Sequence, residues 1–271
     1  MVNSESFAVA PLTIRSPSLH LECMAVVIER RMLLEPMDLR VPAGSWFGIV
    51  GPNGGGKSTL IKALAGLVPH RGRITLSWPG VAGGRVGYMP QRAEPDAALP
   101  VTAQDYLRLR SERRPVWLKP QGNARAEALI DQLEVRPFLL QRIGTLSMGQ
   151  YQRLMLCASL LTDPQLLLLD EPLAGVDEVG RSVLLRALAA YHNEGGTVLM
   201  VEHNWSVVRE CCEQVLWIDG GLIGQGPPET VFQSLSSSQS LLDLEQARER
   251  VSDSQGLTAD SMTTSGSSGD A

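Results

Sequence analysis

Three short segments carry residue types that do phosphate chemistry when brought together. The first is GPNGGGKS, Gly51–Ser58, which fits G-x-x-x-x-G-K-[ST] at every fixed position and is followed by Thr59. Its glycines let the backbone curl so that successive N–H groups point at phosphate oxygens. Gly51, Pro52, Asn53, Gly54, Gly55 and Gly56 therefore form a cradle. Lys57 has the reach to meet β- and γ-phosphates, and the Ser58 hydroxyl suits Mg²⁺. The second segment is QLLLLDEP, ending in Asp170 and Glu171. A carboxylate at the end of a buried strand beside a phosphate loop is placed to hold Mg²⁺, and Glu171, one residue on, can act as general base on a water. The third is Leu146–Gln150, LSMGQ, with the amphipathic run YQRLMLCASLL behind it. Ser147 reads as a helix N-cap, and the same helix tip could offer N–H groups and a hydroxyl to a phosphate.

Elements must position these segments. Residues 46–50, WFGIV, read as a short buried strand entering the glycine run, and Leu60, Ile61, Leu64 and Leu67 recur at helical spacing after it. Before them, residues 19–41 read as paired strands with a turn near Glu29–Arg31. Further strands are expected at 73–76, 85–89, 165–170 and 197–201, with a hairpin of 215–218 and 222–224 around Gly220-Gly221. Helices are expected at 102–110, 123–133 (capped by Asn123), 178–192 and 205–213. Residues from about 92 to 162 hold mostly helical patterns, so a helical subdomain inserted in an α/β core is expected. Residues 1–16 read as a loose leader and 236–271 as a disordered tail rich in Ser, Gly, Thr and Asp.

Composition narrows the function classes. The chain has 271 residues, 44% hydrophobic and 20% charged, with a net charge of -5. An acidic balance argues against sequence-independent nucleic-acid binding. No stretch reaches the roughly 20 apolar residues of a membrane span, and no signal peptide is recognised. The expected location is the cytosol, with any membrane role exercised through a partner. Cys23, Cys157, Cys211 and Cys212 form no CxxC pair, and the adjacent two read as small residues on a helix in a reducing compartment.

LSMGQ resembles the LSGGQ signature of ABC-type ATPases, and it stands just before the QLLLLDEP strand, as in that family. The resemblance covers about 19–235. It implies a P-loop NTPase nucleotide-binding domain of the ABC type over 17–235, with an inserted helical subdomain and an antiparallel β subdomain. It implies ATP and Mg²⁺ as cofactors. Gln91 resembles the Q-loop glutamine that senses Mg²⁺ and links the core to the helical subdomain. Asp177 in Gly175-Val176-Asp177 resembles the D-loop residue that crosses a dimer interface, and His203 resembles the switch histidine at the γ-phosphate. Ser147, Gly149 and Gln150 of a second copy would close over the ATP held by the first. An integral membrane permease would dock near residues 92–117, placing the chain peripherally on the inner face of the plasma membrane.

Two departures from the family stand out. No Tyr, Phe or Trp lies between Leu19 and Val41, where an adenine-stacking aromatic is usual, and Ile28 falls near that position. Met148 stands where glycine is usual, which is harmless if its backbone avoids positive φ. The segments Val86–Gln91, Ala98–Thr102 and Tyr106–Arg110, and GVD at the D-loop, resemble ATPases of bacterial zinc, manganese and iron importers. Import of a divalent metal, zinc or manganese, delivered by an extracytoplasmic metal-binding protein, is therefore expected. An exporter ATPase, or an ABC-type ATPase uncoupled from transport, is the alternative.

Overall fold

The computed structural model describes residues 16–80, 83–91, 100–111 and 124–234. The leader up to residue 15, the Asn123 cap, most of 92–117 and the 236–271 tail lie outside the described residues. In chain order come β1 (Ser18–Ile28), β2 (Arg31–Val41), β3 (Trp46–Val50), α1 (Lys57–Leu64), β4 (Arg71–Ser77) and β5 (Val86–Met89). Then follow α2 (Ala103–Ser111), α3 (Ala124–Gln132), α4 (Met148–Leu160), β6 (Leu166–Asp170) and α5 (Glu178–Asn193). The last are β7 (Thr197–Val201), α6 (Trp205–Cys211), β8 (Gln214–Ile218) and β9 (Leu222–Gly226).

The first two strands form an antiparallel hairpin whose turn residues, Glu29 and Arg30, both take positive φ (49° and 66°). That geometry matches the right-handed twist of the paired strands. β4 pairs with the other side of β1, giving the order β2-β1-β4. It exceeds the expected 73–76 because Ser18 pairs with Ser77 and Ala25 with Arg71. This is the antiparallel β subdomain.

The larger sheet has the order β5-β6-β7-β3-β8-β9, parallel except for β9. All five residues of β3, of β6 and of β7 are buried, which is why these strands read as unbroken apolar runs. α1 covers part of one face. Its Leu60, Ile61 and Leu64 share a core with Leu21, Leu34 and Leu39 of the small sheet and with Phe47, Leu168, Leu199 and Leu216 of the large one. Within the helical segment α4 packs against α2, α3, α5 and β5.

α6 stops at Cys211, short of the expected Glu213, because Cys212 is extended and the Glu213 N–H donates to Trp46 O (2.9 Å). Two 3₁₀ turns, Arg136–Phe138 and Ile143–Thr145, are too short to create a helical repeat in the sequence. All four cysteines are free, and burial pushes the Cys157 thiol up to about 12 and Cys211 up to about 11. Thiols held protonated in this way behave as small apolar groups. Residues beyond Pro228 belong to a second compact unit, of which 229–234 are described and helical. Among the described residues no helix is long and apolar enough to cross a membrane.

Leu168 is fully buried in the middle of β6, with strands on both sides. Leu168→Ala should cost about 2–5 kcal/mol by leaving a cavity. A denaturant midpoint within error of the unsubstituted protein would show that the sheet centre can collapse around the loss.

Candidate active site

The parallel order brings the carboxyl ends of β3, β5, β6 and β7 to one edge of the sheet. The chain leaves each strand there carrying one part of the site. From β3 it enters the phosphate loop; from β5 it reaches Gln91; from β6 it delivers Asp170 and Glu171; from β7 it reaches His203. A cleft of about 700 Å³ lies on this edge. Leu33, Asn53, Gly54, Gly56, Lys57, Ser58, Thr59, Gln91, Glu171 and His203 line it, so most of the residues singled out in the sequence converge.

Sterics force the glycines. A Cβ on Gly51 (φ 144°) would overlap the Ile218 carbonyl oxygen, and one on Gly55 would lie 2.8 Å from the same atom. Gly56 takes φ 99° at the N-terminus of α1, where no side chain caps the helix. The free amide end and the dipole of α1 therefore face the cradle, which favours an anion. The loop is braced from the β8–β9 turn, where the Gly220 N–H donates to Gly55 O (2.9 Å). Lys57 is nearly buried, and its Nζ donates to Gly51 O (2.9 Å) and Pro52 O (2.7 Å). An ammonium has three donors, so one remains for a ligand. Desolvation lowers the pKa of Lys57, against the opposing pull of Glu171, Asp170 and Asp219.

The Ser58 hydroxyl donates to Asp170 Oδ1 at 2.9 Å. Asp170 is fully buried, and its Oδ2 has no partner among the described residues. A hydroxyl beside a carboxylate with a spare oxygen is a hard-oxygen donor set, and it fits Mg²⁺ completed by water and phosphate oxygens. Burial raises the pKa of Asp170, the bond from Ser58 opposes this, and the Glu171 charge adds to it. Glu171 follows at φ 54°, a left-handed conformation that costs a non-glycine residue about 1–2 kcal/mol. Its Oε1 lies 3.0 Å from His203 Nε2. A carboxylate accepts at this distance from an N–H, so the pairing calls for the Nε2-protonated imidazole.

The signature residues sit elsewhere. Ser147 caps α4 in a reciprocal box: Gln150 N–H donates to its Oγ (3.3 Å), and its own N–H donates to Gln150 Oε1 (2.9 Å). Ser147, Gly149 and Gln150 do not line the cleft. Met148 begins α4 without positive φ, as its substitution for glycine requires. Its side chain packs on Gly175 (φ 68°), where an added Cβ would lie 3.2 Å from Met148 Cγ. Asp177 caps α5, accepting from the Gly180 N–H (2.9 Å). Leu33 lines the cleft, whereas Ile28 is 36% exposed at the end of β1 and is not among the lining residues. Glu202, beside the histidine, carried no signal in the sequence, and it is buried where β7 ends.

A glycine cradle at an uncapped helix, a buried Mg²⁺-type carboxylate and a glutamate–histidine pair on one parallel sheet edge define a nucleotide-hydrolysing P-loop domain. The family described as ABC transporter matches residues 34–174, and the chain belongs to that family as an ATP-binding, ATP-hydrolysing subunit. The chain is 30% identical over 220 residues to the manganese transport system ATP-binding protein MntB of Listeria monocytogenes, covering 79% of this chain and 92% of that protein. It is 36% identical over 216 residues to the zinc import ATP-binding protein ZnuC of Pseudomonas putida, covering 79% of each. The fold matches a nucleotide-free ATP-binding cassette from an ABC transporter with a TM-score of 0.69 at 22% identity, over 82% of this chain and 95% of that one.

The raised pKa of Asp170 has a stability consequence with a definite sign. A folded-state pKa above the unfolded value stabilises the fold while the acid is protonated, and that stabilisation is lost as pH rises through the folded pKa. At neutral pH the ionised carboxylate is therefore a burden on the nucleotide-free protein. Asp170→Asn should raise its Tm by about 2–4 °C at pH 7.5. The difference should shrink as pH falls toward the ordinary value of 3.8. Scanning calorimetry against pH decides it, and an unchanged or lowered Tm at pH 7.5 would show that the site is adequately solvated.

Proposed function

We propose that this chain is the ATPase of an importer for a divalent metal ion, zinc or manganese. The likeness to a manganese-transport and a zinc-import ATP-binding protein over 79% of the chain carries this reading. The cassette would span 17–235, with the helical subdomain at about 92–162, a leader at 1–16 and a tail at 236–271. It would sit on the inner face of the plasma membrane against an integral permease fed by an extracytoplasmic metal-binding protein.

The residues take roles that their geometry supports. The loop amides of Gly51–Thr59 and the spare donor of Lys57 bind the triphosphate. Mg²⁺ would be held by Ser58, Asp170 and Gln91, and it supplies charge neutralisation on the phosphates. Glu171 takes the proton of a water as its oxygen bonds to the γ-phosphorus and the bond to the leaving ADP oxygen breaks. His203, held against Glu171 at 3.0 Å, faces the same phosphate. Ser147, Gly149 and Gln150 lie outside the cleft, so a second copy placed head to tail would supply them, and Asp177 would lie at the same interface. ATP binds that closed pair better than the open one and so shifts the population toward closure.

Glu171→Gln should bind ATP, lose about 10²–10⁴-fold in hydrolysis and accumulate as a dimer on size exclusion with ATP. Near-normal turnover would remove Glu171 from the base role. For the cargo, deletion of the coding sequence should impair growth in zinc- or manganese-limited medium, and the protein should copurify with a permease. Normal growth under both limitations, with sensitivity to an exported compound instead, would favour an exporter.

A further inference from the structure

Glu202 is a buried acid that none of the roles above uses. It is 8% exposed, at the point where the chain leaves β7 and turns into α6. Its backbone N–H donates to Ile49 O (3.2 Å), which extends the β7–β3 ladder by one residue and fixes where the side chain starts. One oxygen, Oε1, accepts two successive backbone N–H groups, from His203 and from Asn204, each at 2.9 Å. Asn204 then caps α6, its Oδ1 accepting from the Ser206 N–H (3.0 Å). The other oxygen, Oε2, is buried without a partner among the described residues.

From this geometry we infer that Glu202 is a positioning residue for His203, clamping the backbone of the turn so that the imidazole stays against Glu171. One oxygen that accepts from two adjacent amides ties both to a single side chain. Two such bonds on adjacent amides remove the freedom of the 202–204 turn to swing. The imidazole is itself 42% exposed and touches Glu171 through one atom, so its own packing holds it weakly. Stability alone does not account for a carboxylate here. A buried carboxylate oxygen with no donor carries a desolvation penalty that a neutral acceptor would avoid. What the side chain adds is the clamp, one acceptor oxygen that reaches both amides. The inference rests on the assignment of His203 to the hydrolytic reaction.

The test uses the full chain, ATP hydrolysis at saturating Mg-ATP, and three substitutions. Glu202→Ala removes the acceptor. Glu202→Met also removes it but keeps the buried volume. Glu202→Gln keeps an acceptor oxygen. The Ala and Met variants should lower kcat about tenfold with KM for ATP and far-UV circular dichroism unchanged, while Gln stays within about threefold. In a His203→Ala background, Glu202→Met should cause no further loss, because both act through one imidazole. A slow His203→Ala with normal Ala and Met variants at position 202 would overturn this inference alone. A His203→Ala that hydrolyses ATP at the normal rate would overturn the role of His203 on which it rests. Additive losses in the double variant, or failure of both Ala and Met variants to fold, would make Glu202 a structural residue and overturn the clamp.

Discussion

The 2.9 Å hydrogen bond from the Ser58 hydroxyl to Asp170 joins two parts of the chain that lie 112 residues apart. One end belongs to the first turn of α1, the other to the last residue of β6. For the bond to form, β3 and β6 must run parallel, with β7 between them, and finish on the same edge. That single requirement dictates much of the architecture. Parallel neighbours need crossover connections, which supply the helices, and the buried faces those helices create demand the apolar runs of β3, β6 and β7.

Conflicts with stability gather around this bond. Asp170 is a buried acid and Lys57 a desolvated amine, Glu171 sits in a left-handed conformation, and one oxygen each of Asp170 and Glu202 is buried without a partner among the described residues. Each costs free energy in the resting protein, and such costs persist where surrounding structure over-determines the conformation. Here the over-determination is visible. Ile218 O presses on the loop glycines, the β8–β9 turn hydrogen-bonds to Gly55, and α1 is wedged between two sheets. Away from this edge, the hairpin turn, helix caps and strand patterns agree with one another.

α4 shows a different kind of constraint. Its N-terminus is capped from within by the Ser147–Gln150 box, which satisfies the N–H groups of Gln150 and Ser147. Met148 fills the space above Gly175 and ties the helix tip to the loop before Asp177. The tip and that loop therefore form one packed unit, while the cleft is built by other residues. In the head-to-tail pair proposed above, this separation has a meaning, since the tip of one copy would meet the cleft of the other.

Motif spacing named the phosphate loop, the Asp170-Glu171 pair and the Ser147 cap, because each depends on local geometry, whereas Gln91 and His203 were named by the resemblance to the ABC-type ATPases. A glycine run between strand and helix, a carboxylate ending an apolar strand and a serine three residues before a glutamine each have one dominant physical reading. Strand and helix positions followed from the same periodicities, with ends shifted by cross-strand pairing in β4 and by the Glu213–Trp46 bond after α6. What depended on contacts between distant segments could not be read this way. Leu33 rather than Ile28 lines the cleft because β2 passes over Gly56, and Glu202 gains its importance only where two amides turn inward beside His203. Local chemistry is written in neighbouring residues, whereas burial and approach are set by the packing of the whole chain.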